Sequence, residues 1–155
     1  MTGKYMTASK KQEWFDKAGG LAFSCTQCGQ CCSGPSGYVI ASEPEIEALA
    51  EHFKMTPAQF KQKYMNKTRY GMSMNEKESV AGLDCVFLDR ETIPGKSICS
   101  IYHLRPAQCR TWPFWRSNLA SAQRWQQTQQ ECPGAGHGDF ISLDEIESRA
   151  SQIEL

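Results

Sequence analysis

Apolar and polar positions recur with two different periods along this chain. Between residues 42 and 66 the period is helical. "SEPEIEALAEHF" sets Ile46, Leu49, Ala50 and Phe53 three and four apart, and Ser42 stands three residues before Glu45, the spacing of a reciprocal N-terminal cap. "TPAQFKQKYM" repeats the pattern, with Thr56 as cap, Pro57 at the first helical position and Gln59 at the third. A helical hairpin from 43 to about 66 is expected. Ser9 before "KKQEWFDKAGG" predicts a short first helix with Trp14 and Phe15 on its buried side and Gly19 and Gly20 at its end. "SLDEIESRASQIEL" predicts a last helix over about 143–154, capped by Ser142 toward Glu145, with Leu143, Ile146 and Ile153 as its apolar stripe.

The middle of the chain has the shorter period. "SVAG", "CVFLD" and "SICSIY" are strand-like runs set around the turn-prone "DRETIPGKS", which predicts a small hairpin holding Cys85 and Cys99 on neighbouring strands. In "RPAQCRTWPF", Pro106 can open a helical turn carrying Cys109, and Pro113 limits its length. "SNLASAQRWQQTQQ" is polar and weakly helical, and "ECPGAGHG" is expected to form a glycine-rich turn. There is no repeat, linker or low-complexity segment. A single domain over 1–155 is expected, with its core over about 22–140.

Charge narrows the choice of partners. Lys+Arg and Asp+Glu both number 17, so no overall field favours nucleic acid or an anionic membrane. The N-terminus lacks an apolar signal-peptide core, and no segment approaches the roughly 18 apolar residues of a membrane span. A cytoplasmic location is therefore expected, where thiols stay reduced. The 8 cysteines then read as metal ligands or reactive groups rather than as structural disulfides.

"CTQCGQCC" repeats Cys25, Cys28 and Cys31 every three residues, a spacing that can aim three sulfurs at one centre. Bacterial ferredoxins hold a [4Fe–4S] cluster this way and add a remote Cys before Pro, the pattern of Cys132 and Pro133. Cys32 departs from that run. Adjacent side chains of an extended chain point to opposite faces, so Cys31 and Cys32 are expected to serve different centres. Zinc is the competing account: a CxxC pair joined by a distant pair makes a four-thiolate site, and eight cysteines fit two of them.

Arg105, Arg110 and Arg116 lie near Cys109 in sequence and can offset thiolate charge or remain at the surface. His103 is a candidate ligand or proton donor, His137 a candidate replacement ligand, and His52 sits at a helix end. Trp112, Phe114 and Trp115 can shield the centre, fill core or dock a partner. Nucleotide-binding glycine fingerprints, a P-loop, HExxH and a nucleophile elbow are all missing.

These residues resemble a known family. "CTQCGQCC", "CVFLD", "CSIYHLRPAQCRTWPFW" and "ECPGAGHG" look like the YkgJ-like cysteine-cluster proteins, a zinc- or iron-chelating CxxCxxCC domain often labelled an Fe–S oxidoreductase. The resemblance implies that Cys25, Cys28, Cys31, Cys32, Cys85, Cys99, Cys109 and Cys132 all belong to the chelating set. It settles neither the metal nor an enzymatic activity, since no substrate site is identifiable in the chain.

The fold expected is α+β and mainly α: a small metal-stapled domain of short helices with a minor β-hairpin. One expectation for function is an iron–sulfur protein that transfers electrons or senses redox state. Cys25, Cys28, Cys31 and Cys132 would hold a [4Fe–4S] cluster, and the other four cysteines zinc or a second cluster. The alternative is a zinc-binding interaction or metal-handling module without redox activity. Beyond metal ions, either expectation leaves a redox or protein partner to be found.

Overall fold

The structure is a computed structural model and describes residues 12–153. Ser9 lies outside the described residues. After it comes a single 3-10 turn, Asp16–Ala18, closed by Gly19 at φ 74°. Phe15 is buried as expected, whereas Trp14 stays at the rim, where its indole N–H donates to the Leu119 carbonyl at 2.8 Å.

Strand β1 (Gly20–Phe23) leads into the cysteine loop, and the two-residue β2 (Ser33–Gly34) leaves it. Helices α1 (Glu43–His52) and α2 (Pro57–Tyr64) follow, each with the reciprocal cap that its sequence predicts. Burial of Ile46, Leu49, Ala50 and Phe60 explains their spacing.

The chain then makes more sheet than a single minor hairpin. β3 (Met65–Thr68) pairs with β4 (Gly71–Met74), and β5 (Glu76–Ser79) pairs with β6 (Gly82–Cys85), whose other edge takes β2. β7 (Leu88–Asp89) pairs with β8 (Ile98–Cys99) around the long turn of "DRETIPGKS". Cys85 and Cys99 are thus not on neighbouring strands: Cys85 stands opposite Glu76 and Cys99 opposite Leu88. Strand β5 is largely exposed, so "EKES" carries none of the alternation that marks a half-buried strand.

Helix α3 (Ala107–Thr111) opens after Pro106 and ends before Pro113, as predicted. The polar run divides into α4 (Arg116–Leu119) and α5 (Ala122–Glu131). The glycine-rich segment does not remain a turn. It enters β9 (Ala135–Ser142), which runs antiparallel to β1, and Gly136 and Gly138 take φ of 83° and 84° where the register jumps. Helix α6 (Leu143–Ala150) is capped by Ser142 and stops short of Ile153, which is half-buried beyond its end.

Two cores result. The first gathers Ile46, Leu49, Phe60, Met65, Met74, Phe87 and Ile101 between α1, α2 and the hairpins. The second gathers Phe15, Phe114, Trp125, Ala135 and Ile146 against β1 and β9, with the Phe114 and Trp125 rings stacked at 5.8 Å. One buried charge pair braces the small sheet: Arg90 donates to both carboxylate oxygens of Asp84, at 2.6 and 2.8 Å, and Ser79 Oγ donates a third bond at 2.9 Å. Among the described residues no helix is long and apolar enough to cross a membrane.

Candidate metal centre

The conformation of "CTQCGQCC" is fixed by backbone contacts. Gln27 and Gly29 adopt φ of 57° and 77°, and Gln30–Cys32 forms a 3-10 turn closed by Cys32 N–H donating to the Gly29 carbonyl at 3.0 Å. Ser33 Oγ donates to the same carbonyl at 2.7 Å. Gly29 is required twice over, by its left-handed φ and because a Cβ there would lie 2.6 Å from Ser97 Cβ. Ser97 N–H donates to the Gln27 carbonyl at 2.9 Å, which docks the loop beside β8.

This docking completes a cavity of about 500 Å³ whose wall includes six thiols: Cys25, Cys31, Cys32, Cys85, Cys99 and Cys109. The loop supplies the first three, β6 and β8 supply Cys85 and Cys99, and α3 supplies Cys109. Adjacent residues of a 3-10 turn are about 120° apart rather than opposed. The sulfurs of Cys31 and Cys32 accordingly meet at 3.7 Å, against the expectation that they face apart. Among the described residues no three His, Cys, Asp or Glu side chains already surround one point as the ligands of an ion do. The thiols ring the wall.

Cys31, Cys32, Cys85, Cys99 and Cys109 share one electrostatic environment. Burial pushes Cys109 up to about 12, helped by nearby Cys85, Cys31 and Cys99. Burial likewise raises Cys85 to about 11, and Cys99 moves in the same direction. The Cys31–Cys32 hydrogen bond splits that pair, holding Cys31 down at about 7 and pushing Cys32 well up. Arg105 favours the thiolate form of Cys31, Cys99 and Cys109.

The other candidates separate cleanly. Cys28 is half-buried and is not part of the cavity wall. Cys132 is buried in the second core, where the Trp112 indole N–H points at its sulfur at 3.5 Å. Of the three arginines, Arg105 lines the cavity, Arg110 reaches Glu45 at 3.5 Å, and Arg116 pairs with Glu147 at 2.9 Å on the surface. His103 lines the wall, and His52 and His137 do not. Trp112 and Trp115 line it too, whereas Phe114 belongs to the second core.

Two positioning residues escaped the sequence reading. Glu45 completes the α1 cap through one carboxylate oxygen and accepts the Ala107 N–H of α3 with the other, at 2.8 Å in both cases. Gln108 accepts the Ile40 N–H and donates to the Tyr38 carbonyl, tying α3 to the opposite wall. The capping box was the only local signal of either.

A soft donor set gathered in one cavity of a small α+β domain defines a thiol-rich chelating fold. Residues 24–133 match the CxxCxxCC family, described as a "Putative zinc- or iron-chelating domain", and the chain belongs to that family. An uncharacterized protein of Methanocaldococcus jannaschii is 29% identical over 112 residues, which cover 72% of this chain and 55% of that protein. The chain thus spans about half the length of this relative. No solved structure matches it.

Proposed function

We propose that this protein binds a single zinc or iron ion through thiolates, nucleated by Cys31 and Cys32 and completed from Cys85, Cys99 and Cys109. The observation that carries this reading is the 3.7 Å between the Cys31 and Cys32 sulfurs. Two thiolates on one tetrahedral ion, each at about 2.3 Å from it, stand about 3.8 Å apart. The thiolates of a [4Fe–4S] cubane sit on separate irons and lie farther from one another. The donor chemistry fits as well: soft sulfur selects zinc or iron over hard cations, and Arg105 offsets the negative charge that four thiolates leave on a divalent ion. In a cytoplasmic setting these thiols remain reduced and able to bind. The role is then structural or metal-handling, with the ion holding the loop, β6, β8 and α3 together.

An iron–sulfur centre with a redox role is the second reading, and the number of thiols favours it. Six of them line one cavity, more than one tetrahedral ion takes. The ferredoxin-like set of Cys25, Cys28, Cys31 and Cys132 has less support, because Cys132 is packed in the other core.

Metal and acid-labile sulfide analysis, with an absorption spectrum, on protein purified without oxygen tests both. The single-ion reading expects about one zinc or iron per chain and no sulfide. Sulfide in proportion to iron, with a brown colour that bleaches under dithionite, would replace it by the cluster reading.

A further inference from the structure

The cavity is far larger than an ion requires. Its volume of about 500 Å³ falls in the range of about 300–1,000 Å³ typical of sites for small organic molecules. Away from the thiols much of the wall is apolar, built from Val39, Ile93, Ile98 and Tyr102 among others. Tyr38, Ile93 and Tyr102 are 48%, 44% and 46% exposed, so large apolar side chains that a soluble surface normally hides stand together at this rim.

One cation is held ready at the same place. The Arg105 guanidinium lies 3.9 Å over the Tyr102 ring, and its Nε donates to the Tyr102 carbonyl at 3.1 Å. Its terminal nitrogens make no hydrogen bond or ion pair among the described residues, whereas Arg110, five residues on, is engaged by Glu45. A planar guanidinium fixed by stacking and by one hydrogen bond leaves its fork free for a carboxylate or a similar oxyanion. Besides the thiols and Arg105, the titratable groups on the wall are Glu76, His103 and the phenols of Tyr38 and Tyr102, and the Glu76 oxygens are taken up by Ser36 Oγ and the Gly37 N–H.

The geometry points to a binding site for an aromatic monoanion: a flat apolar body seated against Tyr102, Val39 and Ile98, with its single anionic group on Arg105. The inference rests on the metal reading in giving the thiol end of the same cavity to the ion, whose charge Arg105 also faces. Arg105 acts as the specificity determinant, since the apolar wall alone does not distinguish an anion from its uncharged analogue.

The test uses the full-length, metal-loaded protein and two fluorescent probes, anilinonaphthalene sulfonate and its uncharged parent phenylnaphthylamine. Saturable binding of the sulfonate, one per chain, is expected, with quenching of the emission of Trp112 and Trp115 in the wall. Arg105→Gln should weaken the sulfonate about tenfold or more, the scale of a lost charge-assisted hydrogen bond. The uncharged probe should change less than about twofold, and Arg105→Lys should recover part of the loss. Equal loss of both probes, or no saturable sulfonate binding, would overturn the proposal. Metal content measured on each sample separates the two readings: sulfonate binding without metal leaves this site standing and removes the ion, and metal without sulfonate binding does the reverse.

Discussion

Cys31 and Cys132 carry the same thiol into opposite surroundings. The first touches a second sulfur beside an arginine, and the second lies among Phe114, Trp125 and Ile146 with an indole N–H pointed at it. Cys31→Ser and Cys32→Ser are therefore expected to lose bound metal on gel filtration, read by elemental analysis. Cys132→Ala should keep its metal and lose about 0.5–1.5 kcal/mol of stability, the net worth of its hydrogen bond from the half-buried Trp112. Retained metal in Cys32→Ser would count against the single-ion reading, and lost metal in Cys132→Ala would favour the ferredoxin-like set. The sequence could not foresee the Cys31–Cys32 contact, because adjacent side chains are opposed in a strand but only about 120° apart in a 3-10 turn.

Asp84 shows the same dependence on partners. Hydrogen bonds from Arg90, then from Ser79, hold its carboxyl below the usual value of 3.8. As pH falls, the unfolded chain takes up this proton first. The stabilisation is thus complete above the unfolded value and is lost as pH drops through the lower folded one. Asp84→Ala should cost about 3 kcal/mol at pH 7, the lower end for a broken buried pair, since the Arg90 side chain retains 28% exposure. Urea unfolding of both proteins at neutral pH and near pH 3 checks this: the difference between them should shrink in acid.

At the scale of elements, Glu45 joins two helix N-termini, those at Ser42 of α1 and at Ala107 of α3, the second of them 62 residues beyond Glu45 itself. Ser42→Ala should cost about 1 kcal/mol by weakening one cap. Glu45→Ala should cost more, and it alone should loosen α3, which carries Cys109. Alkylation of metal-free protein by iodoacetamide, followed by peptide mass spectrometry, reads this directly: Cys109 should react faster in Glu45→Ala and at the wild-type rate in Ser42→Ala. Equal rates in all three would deny Glu45 its second role. Helices α1 and α2 were legible because capping and apolar spacing are local. The pairing of β1 with β9 was not, because it joins Gly20 to Ser142 across most of the chain and its glycines read as a turn. Cys99 lies on the expected strand of the hairpin around "DRETIPGKS", whereas Cys85 ends a separate strand before it, because "EKES" hides the strand that Cys85 actually faces.

For the whole molecule, the two cores differ in their relation to the cavity. Met74, Phe87 and Ile101 of the first core form part of its wall, and Cys85 and Cys99 pack against that core. The second core adjoins the cavity through Trp112. Ligand binding stabilises only what it must keep folded, by about 4 kcal/mol at a thousandfold excess over Kd. Removal of metal by a chelator should therefore act unevenly. Hydrogen exchange is expected to accelerate in the cysteine loop, β6, β8 and α3, while α5, α6 and β9 keep most of their protection. The ferredoxin-like set makes a different forecast, because a centre that included Cys132 would tie the loop to the end of α5, and its loss would loosen both cores together. Exchange profiles with and without chelator thus distinguish a centre seated on one core from a centre that bridges two. They do so without relying on substitutions, whose effects on folding and on metal binding are harder to separate.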